Sequence, residues 1–165
     1  MHSNPSLRAV WFSGLAALAL LAGLGAYLSP LRPGVLALQL TFTPEAFGTI
    51  IHHWSSADLA RYRWHLPLDG FLLAAYGAFG WLLATRTTAF AAYAPSRQRL
   101  CALLLPLAAC FDAAENVLHA WLTEVPRFGV PVVYATAGCV SLAKWLLLML
   151  FAAVLAHALW RREPC

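Results

Sequence analysis

The sequence predicts an all-α protein, a transmembrane four-helix bundle with short interfacial amphipathic helices between spans 1 and 2. Of the 165 residues, 61% are hydrophobic and only 11% are charged, whereas a soluble domain carries about 25% charged residues. The mean hydropathy is +0.68. Because one helical span needs roughly 20 apolar residues, four spans and one long loop use up the chain as a single transmembrane domain.

Four apolar runs define the predicted spans, at about residues 9–28, 66–85, 100–122 and 131–160. The first run follows a short segment that carries Arg8, as a signal peptide would. It is too long for the apolar region of a typical signal peptide, and no small-x-small cleavage site precedes Ser29 and Pro30. We therefore expect this run to be retained as the first span.

The loop at residues 29–65 contains two signals for the start of a helix. Thr43 is followed by Pro44, and proline is favoured at the first helical position because its missing N–H would be unpaired there anyway. A second start is expected at Ser55 or Ser56. These signals predict short amphipathic helices at the membrane interface, and three aromatic side chains would suit the level of the lipid headgroups: Trp54, Tyr62 and Trp64.

The distribution of basic residues predicts the orientation in the membrane. The four predicted spans place six arginines on one side of the membrane: Arg8, Arg86, Arg97, Arg99, Arg161 and Arg162. They place four on the other: Arg32, Arg61, Arg63 and Arg127. The positive-inside rule then predicts that both termini are cytoplasmic and that the long loop is outside, in what we expect to be a bacterial plasma membrane. We do not expect nucleic-acid binding, because these residues form no basic patch with interleaved aromatics.

Ionisable residues inside the predicted spans are the chemically informative feature. Asp69 lies in span 2, Asp112 and Glu115 in span 3, and Lys144 in span 4. One such group at the bilayer centre costs about 2.5–3.5 kcal/mol on insertion scales, and residues of this kind are candidates for function by default. We take these four as the candidate catalytic residues.

Helical spacing groups further polar residues with them. Asp112, Glu115, Asn116 and His119 are spaced i, i+3, i+4 and i+7, which places them on one face of span 3. Tyr76 lies seven residues after Asp69, and Ser141 lies one turn before Lys144. The candidate ligand-binding residues are Tyr76, Asn116, His119 and Ser141.

The charges of these groups do not balance. Three carboxylates and one ammonium leave a formal negative excess in a medium of low dielectric constant. A bound proton, a metal ion or a cationic ligand could each offset it. No cofactor is indicated by any motif.

Several sequence segments together resemble a group of uncharacterised bacterial four-span membrane proteins. They are the LPLD segment that ends at Asp69, with Tyr76 after it, the FDAAEN segment of residues 111–116, and the AKW segment of residues 143–145. The layout is also similar in architecture to the sterol-isomerase and sigma-2-receptor-like membrane proteins, whose pocket takes hydrophobic amines and sterols. Neither likeness assigns a role to any residue of this chain.

Four hypotheses about function remain open at this point. The first is a buried acidic pocket that opens to the outer half of the bilayer and binds or modifies a lipid-like or hydrophobic small molecule. The second is a structural or accessory subunit whose buried polar residues only hold the helices together. Membrane lipid is the expected partner in either case, and an oligomer is compatible with both.

The other two hypotheses use the same residues differently. A proton-linked carrier would need polar steps towards the cytoplasmic side, but the residues before Asp112 in span 3 are almost all apolar. A metal site could use Asp112, Glu115 and His119, whose carboxylate and imidazole groups suit iron, manganese or zinc. Lys144 opposes a metal site, because a nearby ammonium repels a cation.

Overall fold

Six helices make up the computed structural model, which describes residues 5–161. They are α1 (Pro5–Leu28), α2 (Val35–Gln39), α3 (Pro44–His53), α4 (Ser56–Arg86), α5 (Pro95–Leu122) and α6 (Pro131–Trp160). Four of them, α1, α4, α5 and α6, are long and apolar enough to cross a membrane. The predicted all-α bundle of an integral membrane protein is confirmed, including the short helices between the first two spans.

The four long helices pack in chain order. α1 packs along α4, α4 along α5, and α5 along α6. The short helices α2 and α3 cover one end of the bundle, which we call the loop end, and both contact α6 there. Because the first and last long helices do not form an extensive interface, a space is left between α1 and α6.

Two apolar clusters close the bundle at its ends. At the loop end, Leu38 of α2 and Phe47 of α3 pack with Leu66, Leu122 and Tyr134 from the long helices. At the opposite end, Phe90 is almost completely buried and packs with Cys101, Leu105, Phe151 and Ala158. The buried charged residues lie between these two clusters, in the middle of the bundle. Large apolar side chains such as Phe12, with 78% of its surface exposed, face outward as lipid-facing residues do.

Helix α4 begins ten residues before the predicted start of span 2 at residue 66. Its first three turns carry Asp58, Arg61 and Arg63, so their hydropathy is that of a loop. The predicted start at Ser55 or Ser56 belongs to this long helix and does not open a separate short one. Pro67 therefore lies inside α4, where it removes the hydrogen bond that its N–H would have made.

The other helix starts agree better with the sequence. Thr43 caps α3, since its side-chain oxygen accepts from the N–H of Ala46 at 3.2 Å. Helix α5 begins at Pro95, five residues before the predicted position, so Pro106 is also inside a helix. Helix α6 spans Pro131–Trp160, as predicted.

Two of the three aromatics assigned to the headgroup level are covered by protein. Trp54 is buried and its indole N–H donates to the carbonyl of Pro33 at 2.8 Å. Tyr62 is also buried, with its ring 5.1 Å from that of Trp54. Only Trp64 is exposed as expected.

The start of α4 provides a test of stability. Ser55 and Asp58 form a reciprocal capping box, in which the serine oxygen accepts from the Asp58 N–H at 3.1 Å. Ser55→Ala should lower the free energy of unfolding by ~1 kcal/mol, measured by denaturant titration in detergent micelles. Ser96→Ala is the control, because Ser96 lies in the first turn of α5 and does not serve as its N-cap. An equal loss in both variants would contradict the role of the cap.

Candidate functional site

Helix α5 turns its polar face into the bundle. Glu115 and His119 are each only 1% exposed and Asp112 is 7% exposed, so none of the three faces lipid. Helix α6 presents Lys144, which is 3% exposed, to the same region. The charged side chains of α5 and α6 therefore meet one another inside the protein.

Lys144 lies between two carboxylates. Its Nζ donates to Asp112 Oδ1 at 2.9 Å and lies 2.7 Å from Glu115 Oε2. We call Asp112, Glu115 and Lys144 the ion-pair triad. Tyr76 of α4 donates its hydroxyl to the second oxygen of Asp112 at 3.1 Å, so both oxygens of Asp112 are engaged. The triad links α5 to α6, and the hydrogen bond from Tyr76 links α4 to α5.

Asp69 belongs to a separate pair. Its Oδ2 accepts from the side-chain amide of Asn116 at 2.7 Å, which joins α4 to α5. Asp69 is 9% exposed. No hydrogen bond to its other oxygen, Oδ1, is found within residues 5–161. This carboxylate therefore keeps one acceptor atom free, unlike that of Asp112.

A third polar group lies nearer the loop end. Tyr62 OH and His119 Nδ1 are 2.6 Å apart, and Glu115 Oε1 is 4.0 Å from the same ring nitrogen. Phe47 of α3 contacts the His119 ring edge-on, with centroids 5.5 Å apart. These contacts hold His119 between α4 and α3. His119 thus connects the triad to the packing of the loop end.

A cavity of about 650 Å³ lies between α1 and α6, within the range of about 300–1,000 Å³ that is usual for ligand sites. Its walls are apolar side chains, many of them from α1. Five polar or charged residues line it at mid-depth, and we call them the polar floor: His65, Asp69, Tyr76, Asp112 and Lys144.

The eight candidate site residues fall into two groups, those that line the cavity and those that do not. Asp69, Tyr76, Asp112 and Lys144 line it, whereas four others are not among its lining residues: Glu115, Asn116, His119 and Ser141. Ser141 is fully buried, and its hydroxyl donates to the Ala137 carbonyl at 2.9 Å in its own helix. Two residues of the second group contact the first: Glu115 lies against Lys144, and Asn116 donates to Asp69.

Sequence reasoning missed two residues of this region. His65 was placed in the loop, but it is 4% exposed and lines the cavity. Its position one turn before Asp69 on the same helix could have indicated this. Gln39 of α2 accepts from the indole N–H of Trp145 at 3.2 Å and closes the loop end of the cavity. No sequence signal pairs these two residues, which are far apart in the chain.

The metal alternative finds no support in the described part of the chain. No group of three His, Cys, Asp or Glu side chains in residues 5–161 is arranged to hold a metal ion. Lys144 occupies the position between Asp112 and Glu115 that a cation would need. Asp112, Glu115 and His119 therefore do not form a ligand set here.

The proton-relay alternative also meets an obstacle. Beyond the triad, towards the end opposite α2 and α3, the interior is the apolar cluster around Phe90, Leu105 and Phe151. A chain of proton carriers needs polar groups or water at each step, and this cluster offers a dry interior. Within residues 5–161, the buried charged and histidine side chains lie between this cluster and the loop end.

Comparison with protein-family models, with curated proteins and with solved structures gives no match. A proposal about function has to be argued from the polar floor and the cavity.

Proposed function

We propose that this integral membrane protein binds a lipid-like or hydrophobic small molecule in the cavity between α1 and α6. The observation that carries the proposal is the combination of apolar walls with a few converging polar groups, which is the usual composition of a small-molecule site. The cavity is bounded by the first and last spans. A ligand could therefore enter from the bilayer itself.

The contacts that the carboxylates already make favour binding of a ligand over its chemical modification. Acid–base catalysis by paired carboxylates needs one proton donor and one free base near the substrate. Asp112 uses both oxygens on Lys144 and Tyr76, and Glu115 does not line the cavity. Of the three carboxylates, only that of Asp69 has an oxygen without a hydrogen bond in residues 5–161 and lines the cavity, which supports recognition of a ligand more than catalysis by two carboxylates.

The orientation follows from the arginines at the end opposite α2 and α3. Within residues 5–161 this end carries Arg8, Arg86, Arg97, Arg99 and Arg161, all exposed, with no acidic residue; Arg162 lies outside the described residues. We infer that this end is cytoplasmic, that both termini lie there, and that the membrane is a bacterial plasma membrane. The loop end, with Gln39 over the cavity, then faces outward.

Filling the cavity is the direct test. A Cβ added at Gly25 or Gly23 of α1 meets no heavy atom within 4 Å, but only Gly25 lines the cavity. Gly25→Phe should lower the amount of hydrophobic small molecule that copurifies with the protein about tenfold, because its ring occupies the space of the ligand. Native mass spectrometry of the protein released from nanodiscs measures this amount.

Gly23→Phe is the matched control, since it adds the same side chain two residues away without entering the cavity. It should retain the wild-type content. If wild type and both variants carry the same content, the cavity does not hold the ligand. The alternative, that the buried polar residues serve only to hold the bundle together, would then be favoured.

A further inference from the structure

The free polar atoms of the cavity at mid-depth are hydrogen-bond acceptors. Asp69 Oδ1 is one, because Asn116 engages only Oδ2. His65 provides the second. Its Nδ1 contacts the backbone carbonyl of Tyr62, which can only accept, so Nδ1 carries the proton and a neutral ring has its lone pair on Nε2. No protein hydrogen bond to Nε2 is found in the described part of the chain.

The donors on the polar floor are directed at protein carboxylates. Tyr76 donates to Asp112, and Lys144 lies between Asp112 and Glu115. An anionic ligand would therefore meet Asp69 without a free cation to pair with. On the polar floor, a carbonyl ligand would likewise have to displace an existing contact, and the amide of Gln39 lies apart from the floor, at the loop end of the cavity. The floor is suited to a ligand that brings its own donors.

The charge of the site selects among such ligands. Lys144 compensates one of three carboxylates, so the formal charge of Asp69, Asp112, Glu115 and Lys144 together is negative. An ionised carboxylate in an apolar cavity is costly unless a cation pairs with it. A positively charged donor supplies a counter-charge for Asp69 together with the missing hydrogen bonds.

The spacing of the two free acceptors fits a group with several N–H bonds. His65 and Asp69 are four residues apart in α4 and both line the cavity, and such positions are about 5–6 Å apart at Cβ. No His65–Asp69 ion pair within 4.0 Å occurs among the described side chains. One ammonium group between them can donate to both.

We propose that the ligand of this cavity is a long-chain primary amine, with its ammonium donating to Asp69 Oδ1 and His65 Nε2 and its hydrocarbon chain along α1. This inference rests on the proposed function and names the ligand class of the same cavity. Asn116 orients Asp69 as a positioning residue. The ion-pair triad stays intact when the amine binds.

Four probes with the same hydrocarbon chain test the chemistry in the wild-type protein. Protein in nanodiscs is given equal mole fractions of hexadecylamine, hexadecyltrimethylammonium, hexadecanol or hexadecanoate, and bound probe is counted by native mass spectrometry. Hexadecylamine should bind about tenfold more tightly than hexadecanol, and hexadecanoate should bind least. The quaternary ion has the charge but no N–H, so it should bind more weakly than the primary amine. Equal binding of the amine and the quaternary ion would overturn the assignment of the two acceptors.

Substitution at Asp69 tests the assignment to this residue. Asp69→Asn should remove the preference for hexadecylamine over hexadecanol while binding of hexadecanol persists. Glu45→Gln, at an exposed position in the first turn of α3, removes the same charge outside the cavity and should leave the preference unchanged. An unchanged preference in Asp69→Asn would overturn the inference. If Asp69→Asn does not fold, the order of the four probes in wild type decides alone.

The outcomes distinguish a failure of the amine assignment from a failure of the proposed function. If hexadecanol or hexadecanoate binds as tightly as hexadecylamine, the amine class is wrong but the cavity still binds lipid-like molecules. If no probe binds, and Gly25→Phe has no effect on copurified material, both the ligand class and the proposed function fail.

Discussion

Replacing Lys144 with methionine should destabilise the protein by ~3–5 kcal/mol, the usual cost of removing one partner from a buried ion pair. The substitution leaves Asp112 and Glu115 facing each other without a cation, and both are more than nine-tenths buried. Methionine has nearly the length of lysine, so the loss arises from the charge and not from an empty space. The free energy of unfolding, obtained by SDS titration of detergent micelles, measures the effect.

A neutral version of the triad provides the control. The triple variant Lys144→Met, Asp112→Asn and Glu115→Gln removes all three charges and should recover most of the stability lost in Lys144→Met. Recovery would show that unpaired buried charge, and not the lost side chain, causes the loss. A single variant that unfolds with wild-type free energy would contradict the ion-pair account.

Gly80→Ala should lower the free energy of unfolding by ~1–3 kcal/mol, as overpacking of a tight interior does. A Cβ at Gly80 would lie 2.5 Å from Cβ of Leu105 in α5. Because a Cβ atom is fixed to the backbone, side-chain rotation cannot relieve this contact, and α4 and α5 would have to move apart. The same SDS titration measures the effect.

Gly70→Ala is the matched control for Gly80→Ala. It makes the same change in the same helix, but a Cβ at Gly70 meets no heavy atom within 4 Å. Its effect should be neutral or slightly stabilising, because alanine favours the helix over glycine by about 1 kcal/mol. Equal losses in both variants would contradict the close approach of α4 and α5 at Gly80 as the cause.

The spacing of residues within one helix predicted part of the site. The i, i+3, i+4 and i+7 pattern of α5 correctly placed Asp112, Glu115 and His119 together on a face, and the structure buries all three. The structure places Lys144 against Asp112 and Glu115 and away from Asp69, a choice of partners that the sequence could not make. Periodicity describes a single helix, whereas the choice of partner depends on how two helices are rotated against each other.

Other features depended on contacts between distant parts of the chain. Tyr62 was assigned to the interface from its residue type, but it pairs with His119, which lies 57 residues later. The helix start at Ser55 or Ser56 was predicted, but its continuation into span 2 was missed, because the charged residues of the first turns lower the hydropathy on which a predicted span is based. The cavity could not be predicted, since α1 contributes only apolar or small residues to it, and such residues look the same whether they face lipid, protein or a ligand.

The packing of the first helix has a consequence for the shape of the cavity. The ion pairs that hold the interior lie between α5 and α6, while α1 rests on α4 at places such as Gly14, where an added methyl would come within 2.9 Å of the Phe79 ring. Bulk at that contact would require a shift of the Phe79 ring or of α1 itself, and neither takes part in the ion pairs. Substitution on α1 can therefore change the width of the cavity independently of the charged groups at its floor.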